Sequence, residues 1–491
     1  MLRPDMRAPA TISALLATVA LAVLAGCGGG ATEQAAPGAG TTPIPEAALL
    51  DSLLGPPEEA DAAIAEILAA NDERFVAPFI ELLRMHELAW IARERREPNL
   101  NALRRLSGED FGLDWDSWVE WHGTSELEAP PGFTGWKGRL LGRIDEGFAE
   151  FLQEGIPARE RVEEVIWGGV AIDGIPALND PVLVPAADAD YLTPEEPVFG
   201  VVHNGEAHAY PLRILDWHEL LNTTIGGVPV SLAYCTLCGA GIAYDGRASN
   251  GETYAFGTSG LLFRSNKLMY DQATRTLWNQ FTGKPVFGPL ADSDVELERL
   301  PSVLTSWAAW IEQHPETKVL SLDTGYERPY ELGAAYGQYF SSDTTLFPVW
   351  QRRDDLTAKE RVFGLETDGI AKAYPLGKLV EQRVVNDEHA GQPVVLIASR
   401  GTVDVWPDPA SYEAGGEVRA FERGTHTFAA STRQNRLTDE TGVSWELTED
   451  ALVGPAQQRL ERLDGHLAYW FGWYAFYPRT ELYEGTSTAR P

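Results

Sequence analysis

The chain repeats itself, and that restricts its folds more than anything else in it. Val198-Phe199-Gly200 recurs as Val362-Phe363-Gly364, and Ala209-Tyr210-Pro211-Leu212 recurs as Ala373-Tyr374-Pro375-Leu376. Asn222, Gly227, Pro229 and Val230 return as Asn386, Gly391, Pro393 and Val394. The offset is 164 residues with no gap, and fourteen positions between 198 and 230 are identical. Later the register drifts by a few residues. Trp278 then matches Trp445, Gly288-Pro289 matches Gly454-Pro455, and Glu298-Arg299-Leu300 matches Glu461-Arg462-Leu463. Trp307, Trp310, Pro315 and Thr317 match Trp470, Trp473, Pro478 and Thr480. A period this long describes two tandem domains rather than a solenoid.

Local signals predict what each copy contains. Asn204-Gly205 and Asp368-Gly369 are dipeptides of two-residue type I′ hairpins, which need positive φ twice. The runs beside them fit strands, with Pro211 and Pro375 ending the second of each pair. Val228–Ala233 and Val394–Ala398 are apolar enough to be buried strands. Leu304–Ile311 and Leu467–Tyr474 read as amphipathic helices with paired tryptophans. Residues 49–155 differ in texture. An apolar stripe runs through Leu49, Leu50, Leu53, Ile64, Ile67, Phe79, Leu82 and Leu83, and Pro98 reads as the stop of a helix ending in Arg93–Glu97. Trp115, Trp118 and Trp121 fall near one helical face and suit packing. The predicted fold is therefore α+β. A helical segment at 49–155 precedes two mostly β, homologous domains at 156–325 and 326–491, each ending with a Trp-rich helix.

The first residues predict export. Arg3 and Arg7 precede the apolar run Thr11–Ala25, which suits a signal peptide and is short for a membrane span. It ends in Leu24-Ala25-Gly26-Cys27, which resembles a bacterial lipobox. Residues 1–26 then form the lipoprotein signal and Cys27 becomes the lipidated residue. Residues 27–48, rich in Gly, Ala, Thr and Pro, read as a flexible tether. The expected location is the bacterial cell envelope, facing periplasm or exterior and held to the membrane by the N-terminal lipid. With 39 Lys+Arg against 72 Asp+Glu the formal charge is −33. That excludes nucleic acid as an expected partner, because it demands a basic face.

What the copies do not share points to chemistry. The first has Cys235-Thr236-Leu237-Cys238-Gly239 after its buried strand; the second has Ser399 and Thr402 at the cysteine positions. The first has His208, Arg213, Asp216, His218 and Glu219, where the second has Lys372, Gly377, Val380, Gln382 and Arg383. Three readings of the Cys-x-x-Cys stay open. A structural disulfide closing so short a loop stabilises by only about 2 kcal/mol, against about 4.7 for a hundred-residue loop. A metal site resembles a zinc knuckle but supplies two thiolates, so His203, His208 or His218 must complete it for zinc or copper(I). A redox pair needs one attacking and one resolving thiol, with a cation such as Arg213, His218 or Arg264 to lower the attacking pKa. Dinucleotide, P-loop, zincin and nucleophile-elbow motifs are all absent.

Several ordered blocks resemble the bacterial domain of unknown function 3179. They are Val198–Val230, Tyr234–Gly239, Thr258–Leu262, Tyr270–Thr274, Trp278-Asn279-Gln280, Thr282-Gly283 and Trp307–Pro315. The resemblance is close over 165–323 and weak in the second copy. It implies an exported or lipid-anchored protein. It also implies redox work at the Cys-x-x-Cys, since some members are selenoproteins with selenocysteine in that motif. The expected site is therefore Cys235 and Cys238 with His208, Arg213, His218 and Glu219, acting as a thiol oxidoreductase without a cofactor. Its partner is a substrate or envelope protein that the sequence does not specify. Zinc or copper at Cys235 and Cys238 is the alternative, as is a surface interaction protein braced by a disulfide.

Overall fold

The structure is a computed structural model that describes residues 45–406, 411–433 and 435–485. The expected signal peptide and Cys27 lie outside the described residues. Helices fill the N-terminal region, among them Pro57–Ala70, Val76–Glu87, Arg96–Ser107 and Trp115–Thr124. Their ends follow local chemistry. Pro57 opens its helix, where a missing N–H costs nothing, and Asn71 closes it in the left-handed conformation. Asp114 caps the tryptophan helix by accepting from Ser117 N at 3.2 Å. Pro98 does not stop a helix as expected. It sits in the first turn of Arg96–Ser107, where no intrahelical N–H bond is lost. Trp115 and Trp118 are buried as packing residues.

From Val165 onward the chain is largely β. The hairpin of Pro197–His203 and Glu206–Pro211 turns at Asn204 and Gly205, with φ of 49° and 79°. That of Arg361–Thr367 and Ile370–Pro375 turns at Asp368 and Gly369, with φ of 51° and 81°. Each hairpin gains a second antiparallel neighbour, Ser302–Ser306 in the first case and Gly465–Tyr469 in the second. Each then gains a parallel one, Lys318–Leu320 and Glu481–Leu482. Leu304 and Leu467, expected in helices, lie in these strands; the helices run Trp307–Gln313 and Trp470–Phe476. Ser306 sets the first boundary by capping Ala309 N.

The same side-chain braces occur at matching positions. Trp310 Nε1 donates to Thr317 Oγ1 at 3.0 Å, and Trp473 Nε1 to Thr480 Oγ1 at 2.9 Å. Asn222 grips the backbone of Phe256 through both N–H and C=O, as Asn386 grips Phe428. Trp278 Nε1 donates to Asp271 and Trp445 Nε1 to Asp439. Trp310 packs against Gly200 and Trp473 against Gly364, where an added Cβ would meet the ring at 2.2 Å. Gly364→Ala should therefore cost about 1–3 kcal/mol in urea unfolding, since a packed core resists an inserted methyl. Gly377→Ala, with nothing within 4 Å, should be neutral or slightly stabilising.

The two halves share one hydrophobic core, in which Tyr234, Cys235 and Cys238 pack with Tyr469, Trp470 and Trp473. Among the described residues no helix is long and apolar enough to cross a membrane.

Candidate functional site

The strand Val228–Cys235 folds back antiparallel on Ala240–Ala248, with Cys235 opposite Ala240. Four residues make the turn, and Gly239 closes it with φ of 59°. The matching strand, Gln392–Val405, does not turn here; it runs on through a register shift between Ala398 and Thr402. The Cys-x-x-Cys thus sits where one half reverses direction and the other continues.

Both cysteines are free and buried, Cys235 at 1% exposure and Cys238 at 0%. Residues of the second half cover them. Tyr469 N–H donates to the Cys238 carbonyl at 2.7 Å, and Gly472 is close enough that a Cβ there would lie 3.3 Å from the Cys238 sulfur. A short helix in the connecting segment, Gly337–Phe340, adds Tyr339, whose hydroxyl donates to the Leu237 carbonyl at 2.6 Å.

Beneath this cover the surroundings are polar. Thr236 Oγ1 donates to Glu219 Oε1 at 2.7 Å. Lys267, also buried, reaches the Glu219 carbonyl at 3.0 Å and its carboxylate at 3.4 Å. Cys238 Sγ lies 3.4 Å from the Ser265 carbonyl oxygen, and Asn266 Nδ2 stands 3.6 Å from that sulfur. Gln280 orients Asn266 at 2.7 Å, and its own amide N–H groups bond the carbonyls of Ala233 and Ala240, clasping both arms of the cysteine hairpin.

The two thiols are unequal. Burial raises Cys235 and the Glu219 carboxylate raises it further. Hydrogen bonds from the Cys238 side chain and from the backbone N–H groups of Lys267 and Cys238 outweigh both, and hold it below an ordinary thiol. Burial lifts Cys238 well above, reinforced by the hydrogen bond to Cys235 and the charge there. Burial also pulls Lys267 down, countered by the charges of Glu219 and Cys235. Nearby, burial and Glu219 push the Asp216 carboxyl well up. Its Oδ1 has no hydrogen-bond partner among the described residues.

Of the six candidates, the structure brings together Cys235, Cys238 and Glu219. The others are occupied elsewhere. His208 bonds Tyr210 OH at 2.8 Å and Glu206 at 2.9 Å. Arg213 pairs with Glu196, Nη2 to Oε2 at 2.6 Å. His218 spans the Pro176 carbonyl and Tyr330 OH. His218 ends the helix Leu212–His218, and Glu219 follows in the left-handed conformation with φ of 54°. Arg264, expected as a neighbouring cation, pairs with Glu164 at 2.5 Å. Lys267 takes that place instead. As a lone base in the apolar strand Asn266–Asp271 it left no signal, whereas Gln280 stood in a block already singled out. Among the described residues no group of three or more His, Cys, Asp or Glu is placed to hold a metal ion.

No curated protein and no solved structure matches the chain. A family model described as protein of unknown function (DUF3179) matches residues 172–480. It takes in the braced tryptophan helices of both halves and the buried cysteine turn, so the resemblance extends well past residue 323. Since it covers more than half of the sequence, the chain belongs to the DUF3179 family.

Proposed function

We propose that this is an exported, lipid-anchored thiol–disulfide oxidoreductase, acting through Cys235 and Cys238 in the first of two tandem homologous domains. The observation that carries the reading is a pair of free cysteines at one tight turn, with Asn266 Nδ2 3.6 Å from the Cys238 sulfur and the buried Lys267–Glu219 pair beside them. The recurring Trp–Thr, Asn–Phe and Asp–Trp braces support the duplication, and Ser399 and Thr402 in the second copy mark it as scaffold and cover.

In this reading the Cys235 thiolate attacks one sulfur of a substrate disulfide and expels the other as a thiolate. Cys238 gives its proton to that leaving group and attacks Cys235 Sγ, displacing the second substrate sulfur, which leaves as a thiol after protonation by solvent. Two electrons pass to the substrate and a Cys235–Cys238 disulfide remains; a dithiol donor of the envelope resets it. Substrate enters when the Gly337–Phe340 helix and the Gly472 region separate from the turn. Lys267 is a positioning residue, acting through its backbone N–H and its charge. No cofactor takes part. Stoichiometric zinc or copper, lost with Cys235→Ser, would replace this reading by the metal one. The lipid at Cys27 places the protein on the envelope membrane.

The test is the redox potential of the pair together with the titration of each thiol by its thiolate absorbance. The expected potential lies between about −300 and −120 mV, the range of working dithiols. Cys235 should ionise below about 8.5, the value of a free cysteine, and higher in Lys267→Met. A potential well below about −300 mV, with neither thiol lowered, would describe an inert brace.

A further inference from the structure

The second half carries a site of its own. A cleft of about 450 Å³ opens on the sheet face that includes Ser399, a size that suits a small ligand. Four arginines line it, Arg383, Arg400, Arg433 and Arg436, and no aspartate or glutamate does. In a chain with 72 acidic residues against 39 basic ones, such a wall is unusual.

Two of these guanidiniums are already neutralised. Arg400 pairs with Glu312 at 2.7 Å and Glu417 at 3.4 Å, and Arg436 with Glu446 at 3.1 Å. The other two are not. Arg383 donates to the Ser399 carbonyl at 2.7 Å and makes no ion pair among the described residues. Among them Arg433 makes only a backbone bond, its N–H to Ser431 Oγ at 3.1 Å, and its guanidinium has no polar partner. Two uncompensated planar forks on one cleft match an anion with more than one carboxylate or phosphate group, because each fork binds such a group through paired N–H bonds. Ile397 and Leu437 add apolar side chains to the lining.

We infer that this cleft binds a small polyanion carrying carboxylate or phosphate groups. By the 164-residue offset, Arg383 and Ser399 stand where the first half has Glu219 and Cys235. One fold position then serves thiols in one copy and an anion in the other. That equivalence rests on the duplication read above; the cleft and its charge do not.

Calorimetric titration of the full chain with citrate and with pyrophosphate tests the inference, with acetate as the singly charged control. Saturable one-to-one binding of at least one polyanion is expected, with acetate weaker by about tenfold or more. Citrate alone would assign a carboxylate ligand, and pyrophosphate alone a phosphate ligand. Arg433→Gln and Arg383→Gln should each weaken binding by about tenfold, with Arg433→Lys between wild type and Arg433→Gln. Arg433→Gln removes no internal bond, so its unfolding midpoint should not move. Cys235→Ser should leave binding unchanged, which separates this site from the thiol chemistry. No saturable binding of either polyanion, or binding indifferent to both arginine variants, would overturn it.

Discussion

Cys238→Ser should turn the protein into a trap. With Cys235 intact, attack on a substrate disulfide still forms a mixed disulfide, but nothing resolves it. A covalent adduct should accumulate that mass spectrometry finds on Cys235 and that a reductant releases. Cys235→Ser should form no adduct, and disulfide reduction should fall by roughly 10³-fold or more, as when a nucleophile is removed from residues that act as a unit. The asymmetry follows from the environments. The backbone N–H groups of Lys267 and Cys238 and the Cys238 side chain favour the Cys235 thiolate, whereas burial and the charge on Cys235 keep the proton on Cys238. A buried hydroxyl replacing a thiol costs about 1–3 kcal/mol if left unpaired, so unfolding curves must accompany the assay. Equal adduct from both variants, or adduct only from Cys235→Ser, would reverse or sink the assignment.

Arg419→Leu should destabilise the fold by about 3–5 kcal/mol, the cost of leaving buried charges without their partner. Arg419 is buried, with Nη1 2.7 Å from Glu417 and Nη2 2.5 Å from Glu449. The network ties the halves together. Thr305 of the first half donates to Glu417 at 2.6 Å, and Arg462 joins Glu449 at 2.7 Å to the Ser302 carbonyl at 2.6 Å. Burial alone would raise both carboxyls, but the charge of Arg419 and their hydrogen bonds overcome it and hold Glu417 below, and Glu449 well below, the ordinary 4.5. A carboxyl depressed in the folded state stabilises it above its unfolded pKa and loses that contribution as pH falls through the folded value. Wild type should therefore weaken as pH drops below about 4.5. In Arg419→Leu the sign reverses. The carboxyls keep only Arg462 and the more distant Arg400 as cations, so their charged forms are less favoured and the gap between variant and wild type should narrow on acidification. Urea unfolding at neutral and acidic pH reads both effects. A loss below about 1 kcal/mol at neutral pH, the worth of an exposed pair, would show that the network adds little.

Much of the fold was legible because turn chemistry is local. Asn204-Gly205 and Asp368-Gly369 turn as their dipeptides require, and the buried strands after them were plain from their apolar runs. The helix Leu212–His218 was not, since its seven residues fall between two strands and carry too little periodicity to separate from them. Pro98 misled because one proline reads the same at the start of a helix as beyond its end. In the site, the cysteines and Glu219 were legible by comparing one copy with the other. His208, Arg213 and His218 passed the same comparison for another reason: the first half uses them for local braces that the second half builds differently. Lys267, Tyr339 and Gly472 could not be read, because they reach the thiols through tertiary packing.

The roof over the sulfurs is made late. Gly472 follows Cys238 by 472 − 238 = 234 residues. At synthesis rates of about 5–20 residues per second, the nascent chain carries an uncovered nucleophile for roughly ten to fifty seconds before its shield exists. During that interval both cysteines lie open to any oxidant or escort in reach of the emerging polypeptide.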